Sequence, residues 1–249
     1  MKIFIIFLFT LLTSGPTFGF TLLTQNPPRY TVDEVIFNVT NDDCTTIGIT
    51  PASLLDLVEQ SMDIYWNSVP TSRIKFIRGS VITSSADGES SVGDLITNSG
   101  TVNTIIVGCN NDFGASAGQG GYASAGSDVY GGLLINDSAQ VAALTDAQKM
   151  AIIAHEIGHA FGLGHSNFDA ALMHYSLNFN IASLARDDED GITYLYPNTQ
   201  KVGGCGTIEI DSKDNKQKDG LKAVLSFTLI LGFIKLFGMK FQYLRTKKS

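Results

Sequence analysis

An α/β fold is predicted by two features of the chain, and a third marks where its chemistry sits. Runs of β-branched and aromatic residues bounded by turn formers alternate with segments of helical spacing from Phe20 to about Asn198. That length suits one domain with a single core. Within it, residues 155 to 165 read HEIGHAFGLGH, which places His155, Glu156, His159, Gly162 and His165 in an HExxHxxGxxH frame.

The elements follow in order. Met1 to Gly19 carries Lys2, an apolar run from Ile3 to Leu12 and small residues at Thr17 and Gly19, the pattern of a secretory signal peptide cleaved before Phe20. The run is too short to span a membrane comfortably. Too few residues separate Gly19 from the first strand to hold a pro-domain. That strand is expected at Glu34 to Val39. A helix then opens with Thr50 as N-cap and Pro51 in the first helical position, where a missing N–H costs nothing. Leu54, Leu55, Val58, Met62, Tyr65 and Trp66 recur at helical spacing and mark its buried face.

Further strands are expected at Arg73 to Arg78, Asn103 to Gly108 and Gly132 to Asn136. Residues 113 to 132, FGASAGQGGYASAGSDVYGG, are rich enough in Gly, Ala and Ser to read as a flexible surface loop. Thr145, with Gln148 three residues on, is a capping-box signature for the helix that carries the histidines. A last helix opens near Ser183, carries Asp187 and Asp188 in its first turns, where the helix dipole favours negative charge, and is stopped by Pro197.

The histidine frame predicts a catalytic zinc site. On a helix His155 and His159 stand one turn apart on one face, so both rings reach a single ion. Glu156 projects about 100° round from His155. It therefore misses the ion and reaches a water bound to it, the place of a general base. Gly162, lacking a Cβ, can take the left-handed conformation that turns the chain back and brings His165 in as third ligand. Three imidazoles leave one tetrahedral position for water, which distinguishes a catalytic zinc from a closed structural one. The other reading of HExxH, an ordinary amphipathic helix, offers no reason why every histidine except His174 lies in this motif. No histidines remain for a second, structural zinc.

Downstream, SNFDAALMHYS supplies Met173 eight residues after His165. The long motif with such a Met-turn resembles the metzincin clan of zinc metalloendopeptidases. Ser166, DAALM and LARDDEDGITYLYP are similar to the matrixins, the matrix-metalloprotease family, and the close resemblance covers residues 145 to 197. It implies a zincin-like catalytic domain with a mixed twisted sheet, one zinc on His155, His159 and His165, Glu156 as general base and Met173 as a floor beneath the histidines. It also implies that a glycine-led edge strand, here Gly121, Tyr122, Ala123, Ser124 and Ala125, binds the substrate backbone antiparallel to itself. An unpaired edge is what an extended peptide needs to complete the ladder.

One departure stands out: Met173-His174-Tyr175 replaces Met-Tyr-Pro and looks like the astacin and serralysin version. Tyr175 then either donates to the oxyanion of the tetrahedral intermediate or packs in the wall beside the specificity pocket. His174 is expected at the pocket rim. The resemblance further offers Asp187 or Asp188 as partner for an ammonium exposed at Phe20, the alternative being that both merely complement the helix dipole.

Residues 20 to 200 hold 20 acidic against 6 basic side chains, and residues 201 to 249 hold 4 against 10. No basic patch suggests nucleic acid, and that partner is excluded. The acidic body is compatible with Ca²⁺ binding or with steering cationic substrates, or is simply a solvated face. Three cysteines leave one over: Cys44 and Cys109 flank strands and could form a bridge, while Cys205 lies outside the body. Beyond the body come a polar linker at 201–220, an apolar segment at 221–241 and a basic tail at 242–249. These read as a single-pass anchor whose Lys222, Lys235 and Lys240 snorkel, holding the domain on the extracellular or envelope face. A sorting signal that is cut off is the alternative. The expected function is hydrolysis of peptide bonds in a protein or peptide substrate; the rival is an inert envelope adhesin or binding module, which would have no need of Glu156.

Overall fold

The computed structural model describes residues 19–83, 91–110, 114–176 and 180–198. The expected signal peptide up to residue 18, the linker, the anchor, the basic tail and Cys205 lie outside them. The chain divides into two compact units after Val202, and all described residues fall in the first. Among the described residues no helix is long and apolar enough to cross a membrane.

Strand β1 (Glu34–Thr40) leads to helix α1 (Pro51–Ile64), a 3₁₀ turn at Trp66–Ser68 and strand β2 (Lys75–Ile82). Helix α2 (Val92–Ser99) precedes β3 (Thr104–Asn110), the hairpin of β4 (Gly118–Ala125) and β5 (Asp128–Asn136), and the short α3 (Ala139–Ala142). Two helices close the domain, α4 (Asp146–Ala160) and α5 (Arg186–Leu195). The sheet is mixed, with order β2-β1-β3-β5-β4. β1, β2, β3 and β5 are parallel, and β4 runs antiparallel along β5 at one edge.

The sheet is covered unequally. Val35, Phe37 and Val39 of β1 alternate inward onto Leu54, Val58 and Met62 of α1 and Ile153 and Ile157 of α4, all almost wholly buried. On the other face a smaller cluster of Val92, Leu95 and Ile96 from α2 covers Ile106 and Leu134. Ile36, Ile77 and Val81, at the β1–β2 end, stay exposed.

Several expectations shift. Helix α1 stops at Ile64, so Tyr65 and Trp66 belong to the turn after it, yet both are buried as their apolar spacing required. The indole N–H of Trp66 donates to the Ala154 carbonyl at 2.8 Å, and Ser61 Oγ donates to the Met150 carbonyl at 2.8 Å. The two bonds lock α1 and the turn after it against α4. Strand β2 begins at Lys75 rather than Arg73 because the Arg73 N–H donates to the Tyr196 carbonyl at 2.9 Å, while its side chain donates to the carbonyls of Tyr30 and Val32, pairs with Asp33 and lies over the Tyr196 ring. The Gly-rich stretch is largely strand rather than loop, forming β4 over Gly118–Ala125 and the start of β5 from Asp128. The last helix opens at Arg186, three residues later than expected. Helix α2 was not anticipated, although Ser91 caps it and Val92, Leu95 and Ile96 have helical spacing.

Cys44 and Cys109 form a disulfide. It ties the turn after β1 to the end of β3, next to Asp137, which accepts N–H bonds from Thr46 at 3.0 Å and Ile47 at 2.8 Å.

Candidate active site

Helix α4 carries the site and is fastened at both ends. At its start Thr145 accepts from the Gln148 N–H at 3.3 Å, and the Gln148 side chain accepts from the Thr145 N–H at 2.9 Å, which satisfies two donors with no partner in the helix. At its end the last carbonyls are taken by two buried phenols: Tyr30 donates to Ala160 at 3.1 Å and Tyr196 to Phe161 at 3.1 Å. Gly162, at φ +113°, then reverses the chain.

This turn brings the three predicted ligands together. One ring nitrogen from each of His155, His159 and His165 lies within 4.8 Å of the others, and Nε2 of His159 is 3.2 Å from Nε2 of His165. The Nδ1 atoms of the two helical ligands are already engaged: His155 with the Leu172 carbonyl at 2.7 Å, His159 with the Leu163 carbonyl at 2.8 Å. A carbonyl can only accept, so each Nδ1 carries the proton and each Nε2 presents its lone pair inward. Burial, then the neighbouring charge of His159, lowers the His155 pKa to about 3, and burial lowers that of His159 to about 4. His165 is exposed and also lowered, first by partial burial. Three imidazoles with converging ring nitrogens and no carboxylate among them fit Zn²⁺.

Glu156 lies outside that triad and beside it. Its pKa is raised to about 7 by burial, against the pull of a hydrogen bond from the Gly120 backbone. A Cβ on Gly120 would overlap the Glu156 backbone, so the glycine is what lets β4 lie directly on the active helix. A cleft of about 610 Å³ runs between them, lined by Ala115 to Gly120, Ile152, His155, Glu156, His159, His165, Leu23, Tyr175 and Ser176. The wall is thus the start of β4 and the residues before it. Gly121 to Ala125 continue the same strand beyond the cleft, where the Tyr122 hydroxyl bonds Thr24 Oγ1 at 2.8 Å.

Met173 is buried, and its thioether fills the place where a Cβ on Gly158 would stand, so any side chain there would have to push it aside. The turn around it is held by Asp188, which accepts N–H bonds from Leu172 at 2.8 Å, Met173 at 3.0 Å and Ala185 at 2.9 Å. Burial outweighs those three bonds and raises its pKa. Asp187 accepts from Ser166 Oγ at 2.5 Å. The two aspartates therefore do not merely complement the helix dipole: both are buried and brace the Met-turn.

Tyr175 is 67% exposed and lines the cleft, with its ring 4.3 Å from that of His174. His174, expected at the rim, is not among the cleft residues. It is buried, with Nε2 3.4 Å from Asp169 and Nδ1 3.0 Å from the Ser176 carbonyl. Sequence reasoning missed Leu23, whose only signal was an apolar residue near the start of the domain.

Comparison with known proteins agrees with this geometry. Residues 111–197 match the matrixin model of the M10 peptidases. The chain is 32% identical over 85 residues to Metalloendoproteinase 2-MMP of Arabidopsis thaliana, covering 33% of this chain and 22% of that one. It is 36% identical over 69 residues to Metalloendoproteinase 5-MMP of the same plant, covering 27% and 19%. With Matrix metalloproteinase-27 of Tupaia belangeri it shares 38% over 82 residues, 32% and 15% of the two chains. The chain thus matches between 15% and 22% of the length of these relatives.

Proposed function

We propose that this chain, which carries a matrixin-like metzincin catalytic domain, is a zinc-dependent endopeptidase that hydrolyses peptide bonds of an extended protein or peptide substrate. The observation that carries the reading is the meeting of one ring nitrogen each from His155, His159 and His165 beside the raised carboxyl of Glu156 in one open cleft.

His155, His159 and His165 would hold the zinc, which would supply a Lewis acid able to lower the pKa of a bound water to about 7 and to polarise a carbonyl. The remaining work belongs to the chain. The free edge of β4 offers N–H and C=O groups to an extended backbone and lays it along the cleft. Glu156, buried beside the three histidines in the same cleft, takes a proton from the attacking water at its carboxylate and passes it to the leaving amine. Tyr175, exposed at the mouth, offers its phenol to the oxygen on which charge develops. Leu172 and Leu163 keep the ligand rings in the reactive tautomer.

Cleavage of a quenched peptide library by the purified chain, abolished by a zinc chelator and restored by Zn²⁺, tests the reading. Glu156→Gln should remove at least about a hundredfold of the activity, within the ~10² to 10⁴ that a general base contributes, while leaving zinc bound. Activity untouched by chelator would refute it. We further propose export through residues 1–19 and anchoring through residues 221–241. The full chain should then sediment with membranes while a chain ending near Lys201 stays soluble. If both are soluble, the anchor is wrong.

A further inference from the structure

The third ligand differs from the other two in how it is held. His155 and His159 sit on a helix with their rings fastened to carbonyls. His165 is exposed and lies on the chain that leaves the Gly162 turn. What lies across that chain is the segment Phe20–Thr24. Leu23 N–H donates to the Gly162 carbonyl at 2.9 Å, Leu22 bridges Leu163 in antiparallel fashion, and Gly164 N–H donates to the Thr21 carbonyl at 2.9 Å. Thr21 Oγ1 completes the series by donating to the carbonyl of His165 itself at 2.6 Å.

Gly164 shows that this seat is built. It occupies a position the zinc motif leaves open, yet a Cβ there would come within 2.5 Å of Thr21 Oγ1 and 2.7 Å of the Leu22 carbonyl oxygen. Any side chain would lift the strap off the ligand loop. The strap is fastened beyond the loop as well. Phe20 packs on the Tyr194 ring, 5.4 Å between centroids, and against Gly191 of α5, while Thr24 bonds the Tyr122 hydroxyl of β4.

We propose that Thr21 is a positioning residue for the metal site: its hydroxyl, on a strap clamped over Gly162–His165, holds the third ligand where its ring meets those of His155 and His159. The inference rests on the zinc reading above and adds to it a residue far from the motif. A ligand on a loose loop must be ordered each time the ion binds, and outer contacts that hold ligands typically set metal affinity by 10- to 100-fold. Removing the hydroxyl therefore weakens zinc binding without removing a ligand.

The test is chelator competition for zinc on the full chain, with the electronic spectrum of the Co²⁺-substituted protein as second readout. Thr21→Val keeps the β-branched shape and loses the donor. It should bind zinc at least about tenfold more weakly and change the Co²⁺ ligand-field bands. Thr21→Ser, which keeps the hydroxyl, should restore both. Gly164→Ala should reproduce the loss, and the Thr21→Val, Gly164→Ala double variant should be little worse than either alone, since both act on one seat. Wild-type affinity and spectrum in folded Thr21→Val would overturn the proposal. So would equal weakening in Thr21→Ser, which would make the role one of packing. If the wild-type chain itself binds no zinc, the functional reading falls and this inference falls with it.

Discussion

Asp188→Ala removes a buried carboxylate on which three backbone amides converge, and the structure sets the size of the loss. The side chain is 1% exposed, and its oxygens accept from Leu172, Met173 and Ala185 between 2.8 and 3.0 Å. A buried donor left without a partner costs about 1–3 kcal/mol. The Ala185 amide opens α5 and can be rehydrated there, so two donors bear most of the penalty, roughly 2–6 kcal/mol. Deleting the carboxylate also relieves its own burial cost, evident in its raised pKa, which leaves a net loss of about 3 kcal/mol. That is a large part of the ~5–15 kcal/mol a domain commands. The assay is urea unfolding in excess chelator, followed by the fluorescence of Trp66, the chain's single tryptophan and fully buried. Asp188→Asn should lose about half as much, because its remaining oxygen can still serve the Leu172 and Ala185 amides that share one carboxylate oxygen. Since Leu172 also accepts from His155, zinc affinity should fall by about tenfold in the alanine variant. A loss below about 1 kcal/mol with unchanged zinc affinity would refute the view that Asp188 braces the Met-turn.

Three further outcomes are expected. Gly158→Ala gains helix propensity of about 1 kcal/mol yet should lose net stability, because overpacking against Met173 costs about 1–3 kcal/mol; a raised melting temperature would contradict the contact. Tyr175→Phe should lower kcat with little change in KM and shift stability by less than about 0.5 kcal/mol, and unchanged kcat would leave the phenol without a chemical role. In the metal-free protein the folded Glu156 holds its proton up to about pH 7 while the unfolded one releases it near 4.5, so its contribution is present at low pH and lost as pH rises through that window. Metal-free Glu156→Gln should therefore gain stability on wild type between about pH 4.5 and 7, by on the order of 3 kcal/mol, and a difference flat with pH would show that the carboxyl is not buried as described.

The zinc helix was legible in the sequence because everything that specifies it is local: the capping box spans three residues, and the ligand pair spans one turn. β1 was legible for a similar reason of pattern, whereas the Cys44–Cys109 bridge, 65 residues apart, was only one of the pairings three cysteines allow. Helix α2 was not, since a Gly and several β-branched residues dilute its short apolar stripe. The cleft wall fell a few residues before the stretch chosen for it, because composition marks a Gly-rich edge but not which of its glycines touches Glu156. Least legible were the supports. Asp188 reads as a dipole-complementing acid until its partners at Leu172 and Met173 are seen, and Thr21 lies 144 residues from the carbonyl it holds. Hydrogen bonds across such distances leave no periodicity to detect.

The two phenols at the end of α4 come from opposite ends of the domain, Tyr30 from before β1 and Tyr196 from after α5. In the order in which a ribosome delivers the chain, all three ligands and Glu156 emerge before Asp188 and Tyr196. A growing chain stopped at residue 185 owns every reactive group but has an open carbonyl at Phe161 and unbraced amides at Leu172 and Met173. Closure of the Phe161 carbonyl and of the Leu172 and Met173 amides thus waits for the last described helix and the residue after it.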